Sequence, residues 1–141
     1  MTTDAATAAL QDVLAAEHAA VYVYSVLGAQ TSQSKQPSLY TRVTSAFLAH
    51  RDRRDALNLR ITALGAEPAP ADAAYDVQAD LSTEAKIDAV AQRLEHSCAA
   101  TYAYAVGSTS GQDRSWATTA LLDAAAREIG FGGKAEAFPG L

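Results

Sequence analysis

Residues 10–28 read LQDVLAAEHAAVYVYSVLG, and this stretch contains the pattern that decides the fold. Selected residues recur in it at alternating steps of four and three, which places them along one face of an α-helix. A seam of this kind faces the core of a helical bundle. Its members are Leu10, Leu14, Glu17, Val21, Tyr24 and Gly28.

The same reasoning predicts an all-α chain, with four helices in a single domain over residues 1–141. Asp4 and Ser82 have short acceptor side chains that suit N-caps, and Gly65 suits a helix stop. The predicted helices span about Asp4–Ala29, Ser38–Leu64, Thr83–Val106 and Asp113–Ile129.

Comparable seams follow on the later helices. The third helix allows two, either Ala91, Glu95, Cys98, Tyr102 and Ala105, or Ile87, Leu94, Cys98 and Thr101. On the second helix the seam is Val43, Phe47, His50, Arg54, Leu57, Ile61 and Leu64, and on the fourth it is Ala117, Leu121, Ala124, Glu128 and Phe131. The apolar ending, residues 137–141, is expected to fold back onto the bundle.

The connection between the second and third helices is long, roughly 17 residues, and contains Pro68 and Pro70. Extended, it could reach ~55 Å, whereas a helix of about 25 residues is only ~37 Å long. The connection can therefore return the chain along the whole bundle, which is the long-crossover topology of ferritin-like folds. A slack loop between antiparallel helices is the alternative.

The two halves of the chain repeat certain residues at an offset of 78. Glu17 and His18 correspond to Glu95 and His96, and Tyr24 corresponds to Tyr102. Asp4 and His50 correspond to Ser82 and Glu128. These matches indicate two helical hairpins related by a pseudo-twofold axis, and the alternative is coincidence in an alanine-rich sequence.

The composition excludes several kinds of partner and site. The net charge is -5, which disfavours nucleic acid and anionic membranes as partners. Cys98 is the only cysteine, so neither an intrachain disulfide nor a cysteine zinc site is expected. The start lacks the pattern of a signal peptide, and no apolar run is long enough to span a bilayer, so the expected location is the cytoplasm.

Four side chains of metal-ligating type fall on the predicted inner seams at or beyond mid-helix, and they could converge in a bundle. Carboxylate oxygens and an imidazole nitrogen suit iron or manganese. The candidate ligands are Glu17, His50, Glu95 and Glu128. No phosphate loop, nucleophile elbow or zinc motif accompanies them, and nothing identifies a substrate, so enzymatic activity is left open.

The stretches LAAEH (14–18), AHRDRRD (49–55) and FPGL (138–141) resemble an uncharacterised alanine-rich family within the ferritin-like superfamily. The resemblance implies the bundle fold and assigns no activity. Di-iron members of the superfamily carry a lone Glu on helices one and three, as Glu17 and Glu95 do here, and Glu-x-x-His on helices two and four. His50 matches one such motif, but Phe47 replaces its Glu, and Phe131 replaces the His that would follow Glu128.

A structural interpretation competes with the metal site. Arg54 lies one turn after His50 on the same seam, where a guanidinium would pair with carboxylates and occupy the space that a metal needs. We therefore predict a buried polar network of Glu17, His50, Arg54, Glu95 and Glu128 in a non-catalytic or interaction bundle without a cofactor. The alternative is a reduced iron or manganese site with oxidoreductase activity.

The remaining histidines, the cysteine and the large aromatic side chains are expected in structural or surface positions. His18 and His96 lie about 100° around the helix from the neighbouring glutamates, so we expect boundary or surface positions. Cys98 and Trp116 are expected in the core, or for Trp116 at a dimer interface. Tyr22, Tyr24, Tyr102 and Tyr104 are expected at the core or its edge, with partnered hydroxyls. A homodimer is the expected assembly, and a small apolar ligand between the helices is a further alternative.

Overall fold

The computed structural model describes residues 3–141, and its regular structure over that range is entirely helical. Helix α1 spans Thr3–Ala29, α2 Pro37–Ala63, α3 Glu84–Ser108 and α4 Gly111–Gly130. The predicted four-helix bundle is confirmed. The prediction that the chain starts without a signal peptide concerns Met1 and Thr2, which lie outside the described residues. None of the described helices combines the length and hydrophobicity that crossing a membrane requires.

Capping side chains and glycines set the ends of the helices. The N-cap residue of α3 differs from the predicted one. Thr83, rather than Ser82, is its N-cap, because the Thr83 hydroxyl accepts a hydrogen bond from the Lys86 backbone N–H at 3.2 Å. Asp4 lies within the first turn of α1, where its charge favours the positive end of the helix. After α2, Gly65 adopts a φ of +82°, which a glycine reaches without a steric penalty.

Side-chain partners give the relative directions of the helices. Glu17 meets Tyr102 while Tyr24 meets Glu95, so α1 and α3 are antiparallel. Between α2 and α3 the partner numbers rise together, from Arg42 with Asp88 to His50 with Glu95, so these two helices are parallel.

The segment between α2 and α3, residues 64–83, follows α1 for part of its length. The Gln11 side-chain amide donates to the Glu67 carbonyl at 2.7 Å, and Gln11 Oε1 accepts from the Ala69 N–H at 2.9 Å. Further along, Tyr22 packs against Tyr75 with ring centroids 5.5 Å apart. The path therefore carries the chain back beside α1 towards the start of α3, as the parallel arrangement of α2 and α3 requires.

The core consists of two apolar layers with a polar layer between them. One is built around Leu10, Leu14, Leu57 and Tyr102, and the other around Leu27, Leu39, Val43 and Ile87. Of the two seams predicted on α3, the one that contains Glu95 and Tyr102 is buried throughout. The seam residues Val21, Gly28, Phe47 and Leu121 are only half-buried.

The C-terminal segment folds back onto α3, as predicted. Gly140 has a φ of +82°, and a Cβ there would collide with the carbonyl oxygen of Ala99 and lie 2.9 Å from the Ala103 Cβ. Glycine is therefore needed for two reasons, the left-handed backbone and the close approach to a helix of small residues. Phe138, which precedes this contact, is itself largely exposed.

Candidate functional site

Three predicted site residues meet in the polar layer at the centre of the bundle. Glu17 on α1, His50 on α2 and Glu95 on α3 are each 0% exposed. Each comes from a different helix and lies in the inward-facing seam. Three ionisable side chains without solvent contact must satisfy one another, because an unpaired buried charge is strongly destabilising.

His50 lies between the two carboxylates. Its Nδ1 is 2.6 Å from Glu17 Oε2, and its Nε2 is 3.0 Å from Glu95 Oε1. At neutral pH the His50 ring is an imidazolium, in which both nitrogens carry a proton and donate to these carboxylates. Burial alone would lower the pKa of His50, but the hydrogen bonds and negative charges of Glu17 and Glu95 outweigh it and raise the pKa from 6.5 to about 9.

Two buried tyrosines complete the arrangement. The Tyr24 hydroxyl donates to Glu95 Oε1 at 2.6 Å, and the Tyr102 hydroxyl donates to Glu17 Oε1. Each tyrosine therefore binds the glutamate of the opposite half, which is the reciprocity that a pseudo-twofold axis requires. Burial and the nearby glutamate charge raise the pKa of both tyrosines well above the usual value, so both remain protonated donors. We call Glu17, Tyr24, His50, Glu95 and Tyr102 the central network.

The sequence contained a signal for these tyrosines. Each lies seven residues after its half's glutamate, so the two share a helix face two turns apart. The partnered hydroxyls expected for Tyr24 and Tyr102 are confirmed. The expectation for Tyr104 is wrong, because this side chain points outwards and is 60% exposed.

Arg54 does not belong to the central network, so that prediction is wrong. Its side chain is partly exposed and pairs with the neighbouring Asp55 at 2.9 Å. The preceding residue, Arg53, reaches the network instead, with Nη1 donating to the Tyr102 hydroxyl at 3.3 Å and the guanidinium 5.5 Å from the Tyr102 ring centroid. Arg53 also forms an ion pair with Asp123 on α4. One residue of helix rotation, about 100°, separates the predicted arginine from the observed one.

Glu128 is also separate from the central network. It is 8% exposed, and its Oε1 lies 3.0 Å from Nδ1 of His96. The same His96 nitrogen is 3.8 Å from Glu136 Oε1 on the C-terminal segment. We call His96, Glu128 and Glu136 the surface triad. The predicted convergence of four ligands therefore divides into a buried set of three and this second group, which Glu128 joins.

The central network holds its carboxylate oxygens apart. His50 separates the two carboxylates, so their oxygens lie on opposite sides of its ring and face its N–H groups rather than a shared point. Three of the four carboxylate oxygens accept hydrogen bonds from His50 or a tyrosine. Glu95 Oε1 accepts two, one from His50 and one from Tyr24. Glu95 Oε2 is buried without a hydrogen-bond partner among the described residues. It is the one atom of the set that is free to bind something else.

A small cavity lies between the helices. Its walls include Leu10 from α1, Leu57 from α2 and Trp116 from α4. Its volume is about 200 Å³, below the roughly 300–1,000 Å³ of ordinary ligand pockets. Trp116 is partly buried there and packs edge-on against Tyr102, with ring centroids 6.5 Å apart.

The sequence profile of a family described as Domain of unknown function (DUF4439) matches residues 9–141. The chain belongs to this family. A crystal structure described as a conserved hypothetical protein, rv2844, from Mycobacterium tuberculosis superimposes on this DUF4439 chain with a TM-score of 0.81. The two are 31% identical, and the match covers 91% of this chain and 88% of the other. No curated protein matches the chain.

The DUF4439 membership confirms the part of the resemblance that pointed to an uncharacterised family. Its description names no activity, ligand or partner. The placement within the ferritin-like superfamily stays a prediction.

Proposed function

We propose that this chain is a non-catalytic, ferritin-like bundle in which the central network fixes how the two helical hairpins dock. One observation carries this proposal: both ring nitrogens of the fully buried His50 bind carboxylates, one from each hairpin. A histidine used in this way is a structural cation. It has no lone pair left to bind a metal ion or to accept a proton from a substrate.

The charges of the buried layer support this proposal. Glu17 and Glu95 contribute two negative charges on either side of the positive His50, and Arg53, which is ion-paired with Asp123, donates to Tyr102 at the edge of this layer. A register error by one helical turn would leave at least one of these charges without its partner. Such an error is costly in an apolar interior, whereas Ala-rich packing surfaces alone discriminate poorly between registers.

The ferritin-like assignment rests on topology and symmetry. Helices α2 and α3 run parallel and are joined by a connection of about 20 residues that passes beside α1. Tyr24 with Glu95 and Tyr102 with Glu17 are equivalent contacts at the offset of 78. A di-iron ancestor would explain why glutamates occupy the centres of helices one and three.

We further propose that the bundle acts by association and that its simplest partner is a second copy of the chain. Leu122 and Ile129 are 62% and 48% exposed and lie seven residues apart on the same outward face of α4. Two copies of one helix face can pair about a twofold axis, which is the commonest closed assembly.

The alternative is a reduced iron or manganese site with oxidoreductase activity, and the unpartnered Glu95 Oε2 favours it. That site would require His50 to release one carboxylate and to rotate a bare nitrogen towards the metal. The two proposals therefore differ in the charge of His50 as well as in metal content.

Metal content and stability together distinguish these proposals. Protein expressed with added iron and manganese, and purified without chelator, should contain less than about 0.1 equivalent of either metal by mass spectrometry. This figure does not count an ion bound at the surface triad, which the Glu136→Gln variant would lose. Glu17→Gln should lower the free energy of unfolding by about 3 kcal/mol, because it removes one partner of a buried ion pair. One equivalent of metal that Glu17→Gln eliminates would refute the structural proposal.

A further inference from the structure

The surface triad brings three metal-ligating atoms together from three separate parts of the chain. His96 lies on α3, Glu128 on α4, and Glu136 on the C-terminal segment. One ligand atom from each lies within 4.8 Å of the other two, and the two distances to His96 Nδ1 are 3.0 and 3.8 Å. Ligand atoms about 2.0–2.2 Å from a common metal ion lie roughly 3–3.5 Å apart, so only small movements separate this group from a coordinating one.

The burial of Glu128 is an independent observation. Its side chain is only 10% exposed, yet His96 is the one basic partner it has among the described residues. Elsewhere the comparably buried carboxylates, Glu17 and Glu95, have a histidine and tyrosine donors. Buried carboxylates are normally neutralised by a cationic side chain or a metal ion. Glu128 therefore has a single, largely exposed imidazole where a buried carboxylate usually has a cationic side chain or a metal ion.

The C-terminal segment is shaped to deliver the third ligand. After α4, the backbone N–H of Gly133 donates to the Glu128 carbonyl at 2.9 Å, and a Cβ at Gly133 would lie 2.8 Å from Glu128 Cγ. The chain can turn this tightly over Glu128 only because residue 133 is glycine. The turn leads to Glu136, and the contact of Gly140 with α3 holds the end of the segment.

We propose that the surface triad binds a divalent first-row transition metal ion such as Zn²⁺, Mn²⁺ or Fe²⁺. One imidazole nitrogen and two carboxylate oxygens suit these ions, and the remaining coordination positions would face an open depression of about 610 Å³. The ion neutralises Glu128 and ties the C-terminal segment to α3 and α4. This site is distinct from the central network and does not depend on its role.

Cobalt binding tests the proposal, because Co²⁺ substitutes for these ions and absorbs visible light when bound to protein ligands. Tag-free protein at pH 7.5 should bind one Co²⁺ per chain saturably, and Zn²⁺ should displace it. His96→Ala and Glu136→Gln should each weaken binding at least tenfold, with unchanged circular dichroism. His18→Ala, at the equivalent position of the first half, is the matched control and should leave binding unchanged.

Either of two results would overturn the proposal: no saturable binding below 1 mM Co²⁺, or equal binding by His96→Ala, Glu136→Gln and the unaltered chain. Binding that survives these changes but disappears in Glu17→Gln would place the ion in the central network and refute the structural proposal as well. Loss of the surface ion alone leaves that proposal intact. The melting temperature should rise on adding Zn²⁺ to the unaltered chain and not to Glu136→Gln, because only the folded state holds the site.

Discussion

Raising the pH from 6 to 10 removes the proton that His50 donates to the central network, and we expect the bundle to lose stability over this range. The pKa of His50 is raised from 6.5 to about 9 in the folded chain. The folded state therefore holds the proton at pH values where the unfolded state has released it. The resulting stabilisation is fully present below pH 6.5 and is lost as the pH rises through about 9.

The size of the effect follows from the same two values. A tenfold difference in proton affinity is about 1.4 kcal/mol, so the difference between 6.5 and about 9 corresponds to about 3 kcal/mol. No discount for solvent screening is needed, because His50, Glu17 and Glu95 are all 0% exposed. Many small domains have a total stability of only about 5–15 kcal/mol, so the loss should be readily visible.

Urea denaturation followed by circular dichroism measures this loss. We expect the free energy of unfolding to fall by about 3 kcal/mol between pH 6 and 10, with most of the change above pH 7. His18→Gln should show the same profile, because His18 lies outside the central network. An unaltered chain whose stability is flat or rises over this range would refute the assignment of His50 as a buried cation.

Three further predictions test other parts of the structure. Arg53→Met should lower the free energy of unfolding by about 2–3 kcal/mol in urea titrations, whereas Arg54→Met should change it by less than about 0.5 kcal/mol; equal effects would contradict the placement of these arginines. Leu122→Glu should convert a dimer to a monomer in light scattering after size exclusion, and Leu59→Glu, which changes a leucine on α2 that is 75% exposed, should not; a chain that is already monomeric would end the dimer proposal. Gly140→Ala should speed proteolytic removal of the last residues and destabilise by about 1–3 kcal/mol, because the new Cβ collides with α3; an unchanged cleavage rate would contradict that contact.

The fold was predictable because its determinants are local in the sequence. The seam from Leu10 to Tyr24 gives the helix and its buried face, and short polar turns set the hairpins. The position of Glu17 on that seam also predicted a buried carboxylate correctly. Helical periodicity selected the wrong arginine on α2. Arg53 and Arg54 differ by one position, and only packing against Tyr102 and α4 selects the first.

The candidate site was less predictable, since it depends on contacts between distant segments. Helical periodicity places Glu128 on an inner seam but cannot tell whether it faces His50 or His96. That choice depends on how far α4 is rotated, and on where the C-terminal segment lies. Likewise, the pairing of Tyr24 with Glu95 needs the antiparallel arrangement of α1 and α3, which the sequence indicated only indirectly, through the offset of 78 and the length of the connection between α2 and α3.

The protonation of His50 is the central claim, and ¹⁵N nuclear magnetic resonance of the histidine rings tests it most directly. The chain has three histidines, so single replacements of His18 and His96 assign the signals. At pH 7.5 both nitrogens of the His50 ring should carry a proton, with chemical shifts typical of an imidazolium. A His50 nitrogen without a proton at this pH, whether free or bound to a metal ion, would contradict the account.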